Sequence, residues 1–95
     1  MGAKRALAMS AKDNIAVALE PIEAGDEVNV HVKGDIDKSV EAAETIPYGF
    51  KIALTDLKKG SSIIRYGEIM GLAMTDIKAG AQVHIHNVEG VRVQG

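Results

Sequence analysis

The chain has no cysteine. That excludes a disulfide framework and all thiolate chemistry, and it fits a reducing cytoplasm. Tryptophan is absent too, and only three aromatic residues occur, Tyr48, Phe50 and Tyr66. They are too few for a base-stacking platform. The 11 Lys and Arg against 13 Asp and Glu give a formal charge of −2, with no basic stripe. Nucleic acid is therefore not an expected partner. No apolar run approaches the roughly 20 residues that span a bilayer. The opening Met1-Gly2-Ala3-Lys4-Arg5 leads into no apolar h-region of a secretory signal. Ala6 stands where a myristoylation signal needs Ser or Thr. The expectation is a cytoplasmic protein with no membrane partner. Its 95 residues suffice for one domain spanning 1–95, with one modest core.

What the chain does have is a corner used four times. An aliphatic residue is followed three positions later by Gly, and three further on by a β-branched residue. The copies are Ile22…Gly25…Val28, Ile46…Gly49…Ile52, Leu57…Gly60…Ile63 and Ile77…Gly80…Val83. The pattern reads as a short turn that ends at Gly and launches a strand, with glycine supplying φ > 0. Asp56 and Asp76 stand where a side-chain oxygen caps free N–H groups of a turn. The aliphatic residue anchors the corner. Unequal spacing between the glycines argues against a solenoid.

Between the corners lie short strand signals. Residues 14–19, 27–32, 51–54, 62–65 and 69–74 read as strands, and 66–68 as a turn. Val28, Val30 and Val32 alternate with Glu27, Asn29 and His31. Residues 36–45 fit a strand or a helical turn, with strand preferred. No segment keeps a long period of 3.6. The predicted fold is mostly β: small and irregular, with single helical turns at the Gly corners.

Near the end, Val83-His84-Ile85-His86-Asn87 reads as strand, which puts His84 and His86 on one face. Paired imidazoles beside an amide suit a metal or an anion better than a core. A metal needs at least a third ligand, for which only Asn87 and Glu89 are near. Hydrogen bonding to a substrate carboxylate or hydroxyl is the other reading, and both stay open. His31 has no helpful neighbours and reads as a surface histidine. The carboxylates Asp13, Asp26, Glu27, Asp35, Asp37, Glu41 and Glu44 are scattered and read as solvated.

From Ile46 onward the residue order becomes specific. It runs Ile46-Pro47-x-Gly49-x-Lys51-Ile52-Ala53-Leu54-x-Asp56-Leu57-x-x-Gly60, then Ile64-x-Tyr66-Gly67-Glu68-x-x-Gly71. It closes with Asp76-Ile77-x-x-Gly80-x-x-Val83-His84-x-His86-Asn87. This resembles the SAF domain of the altronate and galactarate dehydratases, and the start Asn14-Ile15-Ala16-Val17-Ala18-Leu19 is similar as well. The resemblance implies a β-clip (SAF-like) fold. It also implies a part in eliminating water, or a similar leaving group, from a sugar-acid-like substrate. Iron(II) or another divalent metal is the implied cofactor of the complete enzyme. A large catalytic dehydratase-like subunit is the implied partner, because the chain stops eight residues after Asn87, as in the stand-alone small-subunit kind.

His84, His86, Asn87, Lys51, Arg65 and Tyr66 are then the candidate substrate-contacting residues, with His84 and His86 also the candidate metal ligands. Two departures stand out: Phe50 occupies a usual His position, and Arg65 a usual Lys position. No general base can be read from the chain, so it is expected to be inert alone, and to self-associate when its partner is absent. The rival expectation is a sugar- or carboxylate-binding regulatory module without catalysis.

Overall fold

The computed structural model describes residues 3–83 and the backbone of the strand Val88–Gly90. These residues form nine strands and no helix. They are β1 (Lys4–Ala8), β2 (Ile15–Ala18), β3 (Glu27–Val32), β4 (Lys38–Glu41), β5 (Lys51–Ala53), β6 (Ser62–Arg65), β7 (Glu68–Ala73), β8 (Gln82–Val83) and β9 (Val88–Gly90). A six-stranded sheet runs β4-β3-β1-β2-β5-β8, and a three-stranded sheet runs β6-β7-β9. All pairings are antiparallel except β1 with β3, which run parallel from Lys4 opposite Val28 to Ala8 opposite Val32.

The mostly-β expectation holds. The expected helical turns do not: each Gly corner is a β-turn. The turns close through i+3 to i hydrogen bonds, Asp26 N–H to Glu23 O (3.0 Å), Phe50 to Pro47 (3.1 Å), Ser61 to Lys58 (2.8 Å) and Ala81 to Lys78 (3.0 Å). The glycine sits at the third position with φ between 84° and 89°. That is the signature of a type II turn, in which only a residue free to adopt φ > 0 fits.

The corners work in couples. Ile22 and Ile46 exchange two backbone hydrogen bonds (2.9 and 2.8 Å), and so do Leu57 and Ile77 (2.8 and 2.7 Å). Within a couple each glycine donates its N–H four residues upstream of the partner's aliphatic anchor. Gly25 donates to Ala42, Gly49 to Ala18, Gly60 to Ala73 and Gly80 to Ala53. Asp56 and Asp76 do cap turns, but each caps the other's. Asp56 Oδ1 accepts from Ala79 N–H (2.9 Å) and Asp76 Oδ1 from Lys59 N–H (2.8 Å).

Each couple also closes one hydrophobic core. Ile22 and Ile46 cover the alanines of β1 and β2, the valines of β3 and Ile52. Leu57 and Ile77 pack with Ile15, Ala53, Ile63, Ala73 and Val83 between the two sheets. Strands β2 and β5 feed both cores, because alternate residues face opposite sides.

The small sheet is fastened to the large one by Asn14. Its side chain donates to Ser62 O (2.8 Å) and accepts from Ile64 N–H (2.8 Å), while its own N–H donates to Ile64 O (3.2 Å). Asn14 thus satisfies the outer edge of β6 as a strand would. Asn14→Ala strips two partners from half-buried backbone groups and is expected to cost about 2 kcal/mol. Urea denaturation will show this as a lower midpoint at unchanged slope.

Candidate functional site

Two of the three described candidates, Arg65 and Tyr66, lie at the tip of the β6–β7 hairpin. Arg65 pairs with Glu68, leaving the two-residue loop Tyr66-Gly67. Both loop residues have positive φ, 57° and 74°. That is the type I′ geometry whose twist suits a two-residue hairpin. Tyrosine is costly in this region, so something else must hold the turn.

Asp13 does. Its carboxylate accepts from Gly67 N–H through Oδ1 (2.8 Å) and from Met9 N–H through Oδ2 (3.0 Å). Ser10 lies against Gly67 on the same side. Asp13 is only 4% exposed, so the expectation of a solvated carboxylate is corrected here. Its two carboxyl oxygens are the acceptors for two backbone N–H groups that water does not reach. Asp26 and Glu44 are likewise spent on backbone, accepting from Glu23 N–H and Gln82 N–H (both 2.8 Å). Glu27, Asp35, Asp37, Glu41 and Glu44 are exposed as expected.

Arg65 is the unusual group. It is half-buried, and its Nε is shielded from solvent without a hydrogen-bond partner. Its Cζ lies 4.8 Å from the Tyr66 ring centroid, and Nη2 is 3.4 Å from the Tyr66 hydroxyl. No described carboxylate forms an ion pair with it. A buried guanidinium N–H left unsatisfied is costly. The same fork is shaped to receive a carboxylate by two parallel hydrogen bonds. Tyr66, 57% exposed, forms one wall beside it.

Lys51 is placed elsewhere. It lies in β5, opposite Val17 and Val83, on the face away from the first core, and no hydrogen bond or ion pair joins it to Arg65 or Tyr66. Phe50, just before it, is 47% exposed at the end of its turn. His31 is the surface histidine expected, with Nδ1 3.0 Å from Asp37 Oδ1. His84, His86 and Asn87 lie outside the described residues; Val83, which precedes them in sequence, pairs with Lys51.

Among the described residues no three His, Cys, Asp or Glu side chains come together to hold a metal. Asp13, Asp26, Asp56 and Asp76 are instead committed to capping backbone N–H groups. These residues therefore do not by themselves fit the divalent cation implied by the resemblance.

The two residues missed by sequence reasoning are Asp13 and Asn14. Their adjacency just ahead of a strand was the available signal, since Asx side chains bond to backbone at such junctions.

Comparison with known proteins decides the family. Residues 4–91 match the altronate/galactarate dehydratase SAF domain. The chain belongs to this family. Altronate dehydratase of Escherichia coli is 43% identical over 77 residues, which cover 81% of this chain and 14% of that protein. Its counterpart in Bacillus subtilis is 37% identical over 78 residues, covering 82% of this chain and 15% of that protein. The chain thus spans about a seventh of the altronate dehydratases it matches. The (2R)-sulfolactate sulfo-lyase subunit alpha of Chromohalobacter salexigens is different in scale. It is 35% identical over 78 residues, covering 80% of this chain and 82% of that protein. This SAF domain therefore occurs both within a much longer chain and as a small subunit.

Proposed function

We propose that this chain is the small subunit of a two-chain lyase acting on a sugar acid or related hydroxy acid. In this reading it holds a substrate carboxylate at its interface with a large catalytic subunit. The observation that carries the reading is the half-buried Arg65 guanidinium, which no described carboxylate pairs, beside the exposed Tyr66 on a hairpin pinned by the buried Asp13. The relatives supply the reaction class: dehydratases on one side, a sulfo-lyase on the other.

The reaction class asks for three things. A proton leaves the carbon beside the carboxylate, charge builds on the carboxylate oxygens, and a leaving group departs from the next carbon. Arg65 contributes to the second. A guanidinium bidentate to the carboxylate opposes the charge as it develops, and more strongly where water is excluded. Tyr66 restricts the fork to one orientation. Lys51, His84, His86 and Asn87 remain proposed contacts of the same substrate. The described residues supply no general base, so proton removal is assigned to the large subunit, as is any metal. No described helix is long and apolar enough to cross a membrane, and the proposed setting is the cytoplasm.

The test is reconstitution. The purified chain alone is expected to produce no 2-oxo acid from aldonic or aldaric acids and no sulfite from sulfolactate. Addition of a large dehydratase-type chain from the same genome is expected to raise turnover of one of these substrates at least a hundredfold over either chain alone. Turnover by the isolated chain contradicts the reading. So does carboxylate binding by the isolated chain with no partner recovered, which is the behaviour of a regulatory module.

A further inference from the structure

The three-stranded sheet has two faces of different fate. Ile63 and Ala73 point inward and are buried in the second core. The other face follows from the register: Ser62 opposes Leu72 and Ile64 opposes Ile69, so these four share a side. A β-bulge between the pairs adds Met70 to β7, which keeps Ile69 and Leu72 on that side despite their odd spacing. Met74 follows directly after the last residue of β7. Ile64 and Leu72 are half-buried, whereas Ile69, Met70 and Met74 are 56%, 42% and 45% exposed. An outward sheet face ordinarily alternates to polar residues; on β6 and β7 through Met74 one Ser stands among five apolar residues, and on β9 Glu89 is the register partner of Leu72.

The position of this face indicates what covers it. The family match ends at residue 91, one residue beyond β9, and β9 pairs with β7. In the altronate dehydratases the matching segment is the N-terminal region and only 14–15% of the protein. The greater part of those chains follows this segment. In the sulfo-lyase the matching segment makes up most of a separate subunit. A surface beside the exit of β9 serves both layouts.

We propose that the outer face of the β6-β7-β9 sheet, formed by Ile64, Ile69, Met70, Leu72 and Met74, is the seat of the large dehydratase-type chain. The proposal rests on the two-chain reading above and adds where the chains meet. Arg65 and Tyr66 lie at the hairpin end of the same sheet, with Arg65 alternating to the side opposite Ile64, so a chain seated here has the carboxylate fork at its rim rather than beneath it. Two methionines at the seat suit a surface that adapts to its partner.

The test uses the full chain and the large dehydratase-type chain from the same genome. Met70→Glu and Ile69→Glu are each expected to raise the dissociation constant at least tenfold, and the double variant to abolish the complex. Ile36→Glu, at a residue 81% exposed between β3 and β4, is expected to bind as the unaltered chain does. A second readout needs no variant: peroxide should oxidise Met70 and Met74 several-fold more slowly in the complex, with Met9 unchanged. Wild-type affinity of both variants, with Met70 and Met74 unprotected, overturns the docking face while leaving the two-chain reading intact. Failure of the unaltered chain to bind any large chain overturns both. A homodimer that Met70→Glu dissolves, with large-chain binding retained, assigns the face to a second copy and overturns the proposal.

Discussion

Gly80→Ala is expected to destabilise the fold by about 3–5 kcal/mol, a large part of what a domain this small has available. Gly80 has a φ of 87°, where a Cβ is already strained. A Cβ there would also overlap the Glu41 carbonyl oxygen and sit 2.9 Å from Ala43 N. Those atoms cannot easily yield. Ala43 N–H donates to Gly80 O (2.8 Å), Gly80 N–H donates to Ala53 O (2.8 Å), and Glu44 accepts from Gln82 N–H next door. The fourth corner is thus clamped between the end of β4 and the end of β5. Gly60 is the built-in control: its φ is 88°, and its Cβ would meet nothing within 4 Å. Gly60→Ala should cost only the backbone strain, about 1–2 kcal/mol. Chemical denaturation of the two variants measures the difference. Equal losses would mean that the close approach to Glu41 contributes nothing.

The second large effect concerns activity. In the reconstituted two-chain enzyme, Arg65→Met is expected to lower kcat/KM by about ten- to a hundredfold, the range for losing hydrogen bonds to a charged group. Because no described ion pair involves Arg65 and its Nε is unsatisfied, the same change should leave the thermal midpoint of the small chain unchanged or slightly raised. That combination separates a substrate contact from a packing role, which would move the midpoint first. Arg65→Lys should recover activity to within a few-fold, since a point charge still meets a carboxylate. Full kcat/KM in Arg65→Met would remove Arg65 from the site.

The four corners were legible because a type II turn needs glycine at one position and tolerates most residues elsewhere. Their coupling was not. Asp56 caps Ala79 and Asp76 caps Lys59, and nothing local distinguishes a cap given to its own turn from one exchanged across the fold. Strand β1 carried no signal at all. Its Lys-Arg-Ala-Leu-Ala is richer in helix formers than in strand formers, and it is extended because β2 and β3 flank it. The small alanines let those neighbours and the Ile22–Ile46 couple close over it.

Of the site, the Tyr66-Gly67 turn could be read from its residue types. The burial of Asp13 could not, because its partner Gly67 lies 54 residues away. Lys51 was grouped with Arg65 through family order alone, and the fold puts the two in different sheets.

The exchanged caps have a dynamic corollary. Neither member of the Leu57–Ile77 couple can keep its turn satisfied while the other is displaced, so amides at both ends must lose protection in the same event. The exchanged caps are expected to couple the opening of the two corners across the β6–β7 hairpin. A bound partner that stills one corner therefore quiets its mate as well.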